Sequence, residues 1–369
     1  MEENHLIRLG MRPLALLAAA TLLHGCGGSA APASSGANTS YSANAPSGGA
    51  TGAPVTDSAG CTQYGDTPRP LAPDSPDGVL NDALTDLVNV CTANNGTMLD
   101  DYTDSSGAAR RACVIAPSNA STGTPLPLMI WFHPTLVGQD AILATDLLTL
   151  LHSYALNGNS STPGFVLMVP LGRNIDQFLP VPLNTGVGWD HWYRNTNRGT
   201  SYLNADFAAV DHYTAEVEAK GIVDTSRVYV SGWSEGADFG TLYGLNTPGV
   251  AVTGVYSTVS PFDDSADPCP GPPFASNNTR PYYLMVRECD VAGACQLSQT
   301  FVSQLSSGVM APSLLNRVIL NSLTQQVDAC NAACGPGSTE SGTLGQTEHL
   351  QWPSAWDDNL LQFMEQNPQ

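Results

Sequence analysis

Apolar and polar positions alternate in two different rhythms along most of this chain. Seven short runs, at 111–116, 126–133, 165–170, 227–232, 252–258, 282–287 and 317–321, are rich in apolar and β-branched residues, and several are nearly unbroken. Runs of this kind suit strands covered on both faces of a parallel sheet. Between them lie stretches with helical spacing. In 206–220, Phe207, Val210, Tyr213 and Val217 recur at intervals of three and four and line one face. The Leu- and Ala-rich 141–156, together with 235–245, 296–305 and 355–365, completes the predicted helices. This alternation predicts an α/β architecture, a doubly wound, mostly parallel sheet flanked by helices. Sites in such sheets form at the carboxyl ends of the strands.

The pattern changes at the N-terminus. Arg12 precedes the apolar run 13–23, which is too short to span a bilayer and reads as an export signal. The run ends at Leu23-His24-Gly25-Cys26, which resembles the lipobox of bacterial lipoproteins, with Cys26 as the lipidated residue; His24 is unusual in that motif. Simple secretion is the competing reading, and Glu2 and Glu3, odd in a basic n-region, make Met11 an alternative start. Residues 1–25 are thus read as a signal peptide. Residues 26–60, nearly all Gly, Ala, Ser, Thr, Asn and Pro, read as a disordered tether, and 61–369 as the folded domain.

Composition narrows the function. The 369 residues, 42% hydrophobic, suffice for one large α/β domain. A net charge of −20, with lysine only at Lys220, argues against nucleic acid as a partner. Besides Cys26 there are eight cysteines, an even number in an exported chain, which points to disulfides. Sequence-local pairing suggests Cys91–Cys113, Cys289–Cys295 and Cys330–Cys334, leaving Cys61 with Cys269. No spacing matches a zinc site, and Asp190/His191 and Asp211/His212, as adjacent pairs, do not readily share an ion; no metal is expected.

The chemistry centres on Gly232-Trp233-Ser234-Glu235-Gly236, a G-x-S-x-G sequence between a predicted strand and a predicted helix. Alone, the motif also fits an ordinary glycine-rich turn. In this context it predicts a nucleophile elbow, with Ser234 raised at the end of the sheet. A serine hydroxyl needs an imidazole base. His152 and His212 fall on predicted helices and read as structural or solvent-facing, and His191 lies in a Trp-rich loop. His349, in a predicted loop before the last helix, is the candidate base. The acid should follow a strand between Ser234 and His349. Asp290, after 282–287, is the first candidate, with Glu288, Asp263 and Asp264 as rivals. For an oxyanion, one N–H should come from Glu235, whose side chain is expected to point away. Because Pro134 has no N–H, the second donor is expected from Thr135, and His133 is read as a loop organiser.

These residues resemble exported α/β-hydrolase esterases related to polyhydroxybutyrate depolymerases and feruloyl or acetyl-xylan esterases. The likeness covers most of 110–355. It rests on 126–135, on Trp192-Tyr193-Arg194 with Arg198-Gly199, on 223–236, and on His349 with Trp352-Pro353. Its most specific part is the Val-Asp-x-Ser-Arg-Val-Tyr-Val run that leads into the elbow. It implies an α/β-hydrolase fold, a triad of Ser234, Asp290 and His349, and a cleft shaped by the loop around Trp189 and Trp192. From residue type, the flat faces of Trp189, Trp192 and Trp352 suit stacking on sugar rings, ferulate or polyester chains, while the competing reading is that one or two of them pack over the sheet as a lid. The chain departs from the group at Pro134, where glycine is usual, and in the stretched spacing from His349 to Trp352-Pro353. The expectation is a cofactor-free serine esterase acting on feruloyl, acetyl or hydroxyalkanoate esters, polymeric ones included, and meeting a membrane only through Cys26. A serine peptidase or lipase on the same fold, and a non-catalytic polysaccharide-binding surface lipoprotein, are the alternatives.

Overall fold

Strands that are apolar on both faces need cover on both, and that requirement organises the molecule. The computed structural model describes residues 79–105, 107–135, 139–176, 185–190, 204–257, 280–290, 294–306, 310–334 and 343–369. The signal segment, Cys26, the tether, Cys61, His191, Trp192, Asp263, Asp264 and Cys269 lie outside these residues. The strands are β1 (Thr97–Leu99), β2 (Ala112–Ile115), β3 (Leu126–Phe132), β4 (Val166–Pro170), β5 (Arg173–Asp176), β6 (Thr185–Gly188), β7 (Val223–Trp233), β8 (Val250–Tyr256), β9 (Tyr282–Arg287), β10 (Leu315–Leu320) and β11 (Gln326–Val327). The helices are α1 (Val79–Ala93), α2 (Leu147–Leu150), α3 (Ala205–Ala219), α4 (Glu235–Asn246), α5 (Ala294–Ser306), α6 (Thr343–His349) and α7 (Asp357–Glu365).

Nine strands form one sheet in the order β1-β2-β4-β3-β7-β8-β9-β10-β11, while β5 and β6 form a separate antiparallel pair. From β4 to β10 every neighbour is parallel; β1, β2 and β11 add antiparallel edges. Side chains alternate across the sheet. Leu128, Ile130 and Phe132 of β3 join one core, packed with Phe207 and Val210 of α3, Phe239 and Tyr243 of α4 and Phe301 of α5. Met129 and Trp131 join the other, with Leu87 and Val90 of α1 and Leu360 and Met364 of α7. Each such fully buried side chain contributes about 1.5–3 kcal/mol of gross burial energy. The chain leaves β3 toward β4 and returns on its other side as β7. The strand order therefore reverses between β3 and β7, where doubly wound sheets open a crevice at their carboxyl ends.

Local sequence explains where elements begin and end. Asn204 caps α3, its side chain accepting from the N–H groups of Asp206 and Phe207 at 3.0 and 2.9 Å. The single helix expected at 141–156 is instead a 3₁₀ turn, Gln139–Ala144, followed by the short α2. Thr145 divides the two. Its hydroxyl donates to Ile142 O and accepts from Leu147 N–H, offering the backbone partners other than helical ones. α1, α6 and the β5–β6 pair are not among the expected elements, although Ala83, Leu87, Val90 and Cys91 of α1 recur at helical spacing and are buried.

Cys91–Cys113 forms as expected and ties the end of α1 to β2. The other two local pairings do not form; the bonds are Cys289–Cys334 and Cys295–Cys330. Because β9 and β10 are parallel neighbours, the segment following β11 comes back beside the β9–α5 connection, and the cysteines bond across these two segments rather than within them. Among the described residues no helix is long and apolar enough to cross a membrane.

Candidate active site

β7 ends at Trp233 and α4 starts at Glu235, so Ser234 alone makes the turn. Its backbone has φ 55° and ψ −125°, a conformation that L-residues rarely adopt. The flanking glycines make this turn possible. A Cβ on Gly232 would lie 2.3 Å from Gly236 O, and one on Gly236 would lie 2.4 Å from the carbonyl oxygens of both Phe132 and His133. Ser234 O accepts from the N–H groups of Ala237 and Asp238, and Ser234 N–H donates to Tyr256 O at 3.1 Å. The serine is thereby fixed between the first turn of α4 and the end of β8.

His349 closes α6, at a helix C-terminus rather than in the expected loop. Its Nε2 lies 2.8 Å from Ser234 Oγ and its Nδ1 2.8 Å from Asp290 Oδ1. Asp290, in the turn after β9, is buried, as is His349. Burial works against an imidazolium here, but the charge of Asp290 and its hydrogen bond outweigh it, so His349 titrates above the usual histidine range. The carboxylate on His349 Nδ1 is thus that of Asp290 and not of its rival Glu288 in the same turn. The arrangement can carry a proton from Ser234 Oγ to His349 Nε2 while Asp290 faces the positive charge that results.

Three strands hold His349 in place, largely through residues to which sequence reading assigns no role. Trp233 Nε1–H donates to His349 O at 2.9 Å, and the Tyr256 hydroxyl donates to Glu348 O. The Glu348 carboxylate accepts from Cys289 N–H at 2.8 Å and pairs with Arg287 at 3.3 Å, all in the interior. The residues on either side of the acid–base contact are thus clamped together. Ser257 also reaches both Asp290 and His349. Glu348 directly precedes the candidate base and Arg287 ends the strand before the acid; no other signal in the sequence marked them.

The loop after β3 reaches the same crevice. His133 is fully buried; Gly172 N–H donates to its Nε2 at 3.0 Å, which leaves Nδ1–H to donate to Pro134 O at 2.8 Å. Burial lowers its pKa to about 4, so it stays neutral and acts as the expected loop organiser. Thr135 is half-buried and Glu235 buried, with its N–H in the first turn of α4.

Two expected substrate contacts are not at the surface. Trp189 is fully buried, stacked on Phe239 with its Nε1–H donated to His133 O at 2.9 Å. Trp352 packs edge-on against Trp233 and Tyr256 and donates to Asp357 at 2.7 Å. Both rings are core supports of the loops that bear the site. Their flat faces are spent on neighbouring aromatics and are not open to a substrate. Elsewhere, ligand atoms of Asp101, His212 and Glu216 lie within 4.8 Å of one another. His212 and Glu216 share one face of α3 and Asp101 comes from a distant loop, so reasoning from adjacent pairs could not find the group. Lys220 pairs with Glu216 at 3.2 Å and competes with any cation there.

No protein-family model and no curated protein matches this chain. Among solved structures it is similar to a thermostable esterase, at 11% identity over 76% of this chain and 64% of that one (TM-score 0.44). It is similar to a ferulic acid esterase at 12% identity over 73% and 98% (TM-score 0.45). A third is Porphyromonas gingivalis dipeptidyl peptidase 4, at 13% identity over 61% and 31% (TM-score 0.38). The chain therefore spans less than two thirds of the length of the first and third of these. With its mostly parallel nine-stranded sheet and a strand–serine–helix elbow at the strand-order reversal, the chain has the α/β-hydrolase fold.

Proposed function

We propose that this protein is a serine esterase that cleaves carboxylic esters through an acyl-enzyme. The observation that carries the reading is the continuous relay from Ser234 Oγ through His349 to Asp290, with 2.8 Å at each step, mounted on a strained elbow. In this reading Ser234 Oγ attacks the ester carbonyl while His349 Nε2 takes its proton. The N–H groups of Glu235 and Thr135 face the oxyanion. The imidazolium, held by Asp290, protonates the leaving alcohol. Water, deprotonated by the same imidazole, then attacks the acyl carbonyl and Ser234 leaves with its proton restored.

The substrate class carries over from the sequence resemblance: feruloyl or acetyl esters of plant polysaccharide, or hydroxyalkanoate polyester. With Trp189 and Trp352 in the core, the aromatic contact proposed for such substrates falls to Trp192. Export is supported by the disulfides and by the signal-like 1–25, with Cys26 as the proposed lipid anchor of a cell-surface protein. Hydrolysis of 4-nitrophenyl acetate by the wild type and by Ser234→Ala tests the proposal. Activity that disappears in the variant is expected. An inactive wild type, or equal rates in both, refutes it and favours a binding protein, while cleavage of peptide amides in preference to esters favours the peptidase. Among esters, methyl ferulate, acetylated xylan and hydroxybutyrate oligomers separate the remaining substrate classes.

A further inference from the structure

A second serine touches both the acid and the base of the relay. Ser257 directly follows β8 and is fully buried, with its Oγ 2.5 Å from Asp290 Oδ2 and 2.9 Å from His349 Nδ1. The roles of these atoms follow from their chemistry. An ionised Asp290 only accepts, so the Ser257 hydroxyl donates to Oδ2. Its lone pairs then face Nδ1, which must carry the ring hydrogen and shares it between Ser257 Oγ and Asp290 Oδ1. That leaves Nε2 with a lone pair for the Ser234 hydroxyl. Serine, histidine and aspartate thus close a triangle that is satisfied by one tautomer and one ring orientation.

We propose that Ser257 is a positioning residue: it fixes the Asp290 carboxylate and holds His349 in the tautomer that can accept the proton of Ser234. The proposal rests on the hydrolase reading for its catalytic consequence but not for its geometry. The backbone supplies an independent argument. Ser257 sits at φ 62°, where glycine fits without strain and a side chain does not. A side chain at such a position is a local cost, and here it places a hydroxyl on the acid–base pair. The main chain holds it there, with Ser257 N–H donating to Met285 O at 2.9 Å across the ends of β8 and β9.

The test compares the wild type with Ser257→Ala and Ser257→Gly. Both remove the hydroxyl, and glycine also suits the backbone, so at least one variant keeps the fold. A hydrogen bond to a charged group corresponds to about a ten- to hundred-fold loss of kcat, with KM for 4-nitrophenyl acetate nearly unchanged. Removing the hydroxyl takes a donor from Asp290 and an acceptor from the His349 Nδ1–H, so the His349 titration, followed by NMR, shifts in both variants. The other charges near it, Asp238 and the Arg287–Glu348 pair, are common to all three proteins. Wild-type kcat and an unmoved His349 titration in Ser257→Gly overturn the proposal and leave the serine as a strained turn residue. If instead the wild type shows no Ser234-dependent hydrolysis, the hydrolase reading fails, and the NMR titration still decides the role of Ser257.

Discussion

Adding one methyl group at Gly236 should uncouple the nucleophile from the loop opposite it. An ideal Cβ there lies 2.4 Å from the carbonyl oxygens of Phe132 and His133 and 2.7 Å from Phe132 C, whereas ordinary contact begins at 3.4 Å. The first turn of α4 must therefore move by on the order of 1 Å away from the end of β3, a displacement of the size that costs about a hundred-fold in rate. The obstructing atoms are main chain, and Phe132 is laddered to Gly232 in the middle of the sheet, so no side-chain rotation relieves the contact. Overpacking of this kind costs about 1–3 kcal/mol of stability. Gly236→Ala should thus lower kcat/KM for 4-nitrophenyl acetate by about two orders of magnitude and shift the urea midpoint down by an amount equivalent to about 1–3 kcal/mol. Gly249→Ala is the matched control, since a Cβ there meets nothing within 4 Å, and it should leave both values unchanged. Wild-type kcat/KM and midpoint in Gly236→Ala would refute the argument that a glycine is needed for close approach at this elbow.

Three further outcomes follow from the buried charges. Because catalysis needs neutral His349, whose pKa is raised by Asp290 against the effect of burial, the acid limb of the kcat/KM profile should have its midpoint above 6.5, and Asp290→Asn should lower kcat by about 10⁴-fold; a limb at or below 6.5 would contradict the assignment. Glu348→Ala leaves Arg287 charged in the interior and should cost about 3–5 kcal/mol in urea denaturation, with much of it recovered in Arg287→Met/Glu348→Leu. Burial raises the pKa of Asp357 to about 8 from 3.8, despite hydrogen bonds from Asp146 N–H and Trp352. The folded state therefore holds a proton that the unfolded chain releases, so this contribution is full below pH 4 and declines as pH rises toward 8. The urea midpoint of the wild type should fall over that window more than that of Asp357→Asn.

The strands were legible because burial on both faces leaves an unbroken apolar run: 282–287 is β9 residue for residue, and 126–133 differs from β3 only at its last position. The elbow was legible for a different reason. A turn this tight tolerates only glycine at Gly232 and Gly236, so a backbone constraint is written directly into residue types. Helix 141–156 misled because composition does not reveal that Thr145 will bond locally to the main chain. α6 lacked a pattern, since a seven-residue helix has too few turns to show one.

Sequence alone therefore determined the α/β class, the central strands and the elbow, because each follows from local pattern or from a motif whose spacing is short; it offered Asp290 and His349 as candidates only. Only the tertiary structure decided which distant groups meet. It paired Cys289 with Cys334 and Cys295 with Cys330 across neighbouring segments, turned Trp189 and Trp352 inward, and closed Ser257, Glu348 and Arg287 around the relay. Contacts of that kind depend on strand order and on which face of the sheet a side chain finds, and neither is encoded within a few residues of the positions concerned.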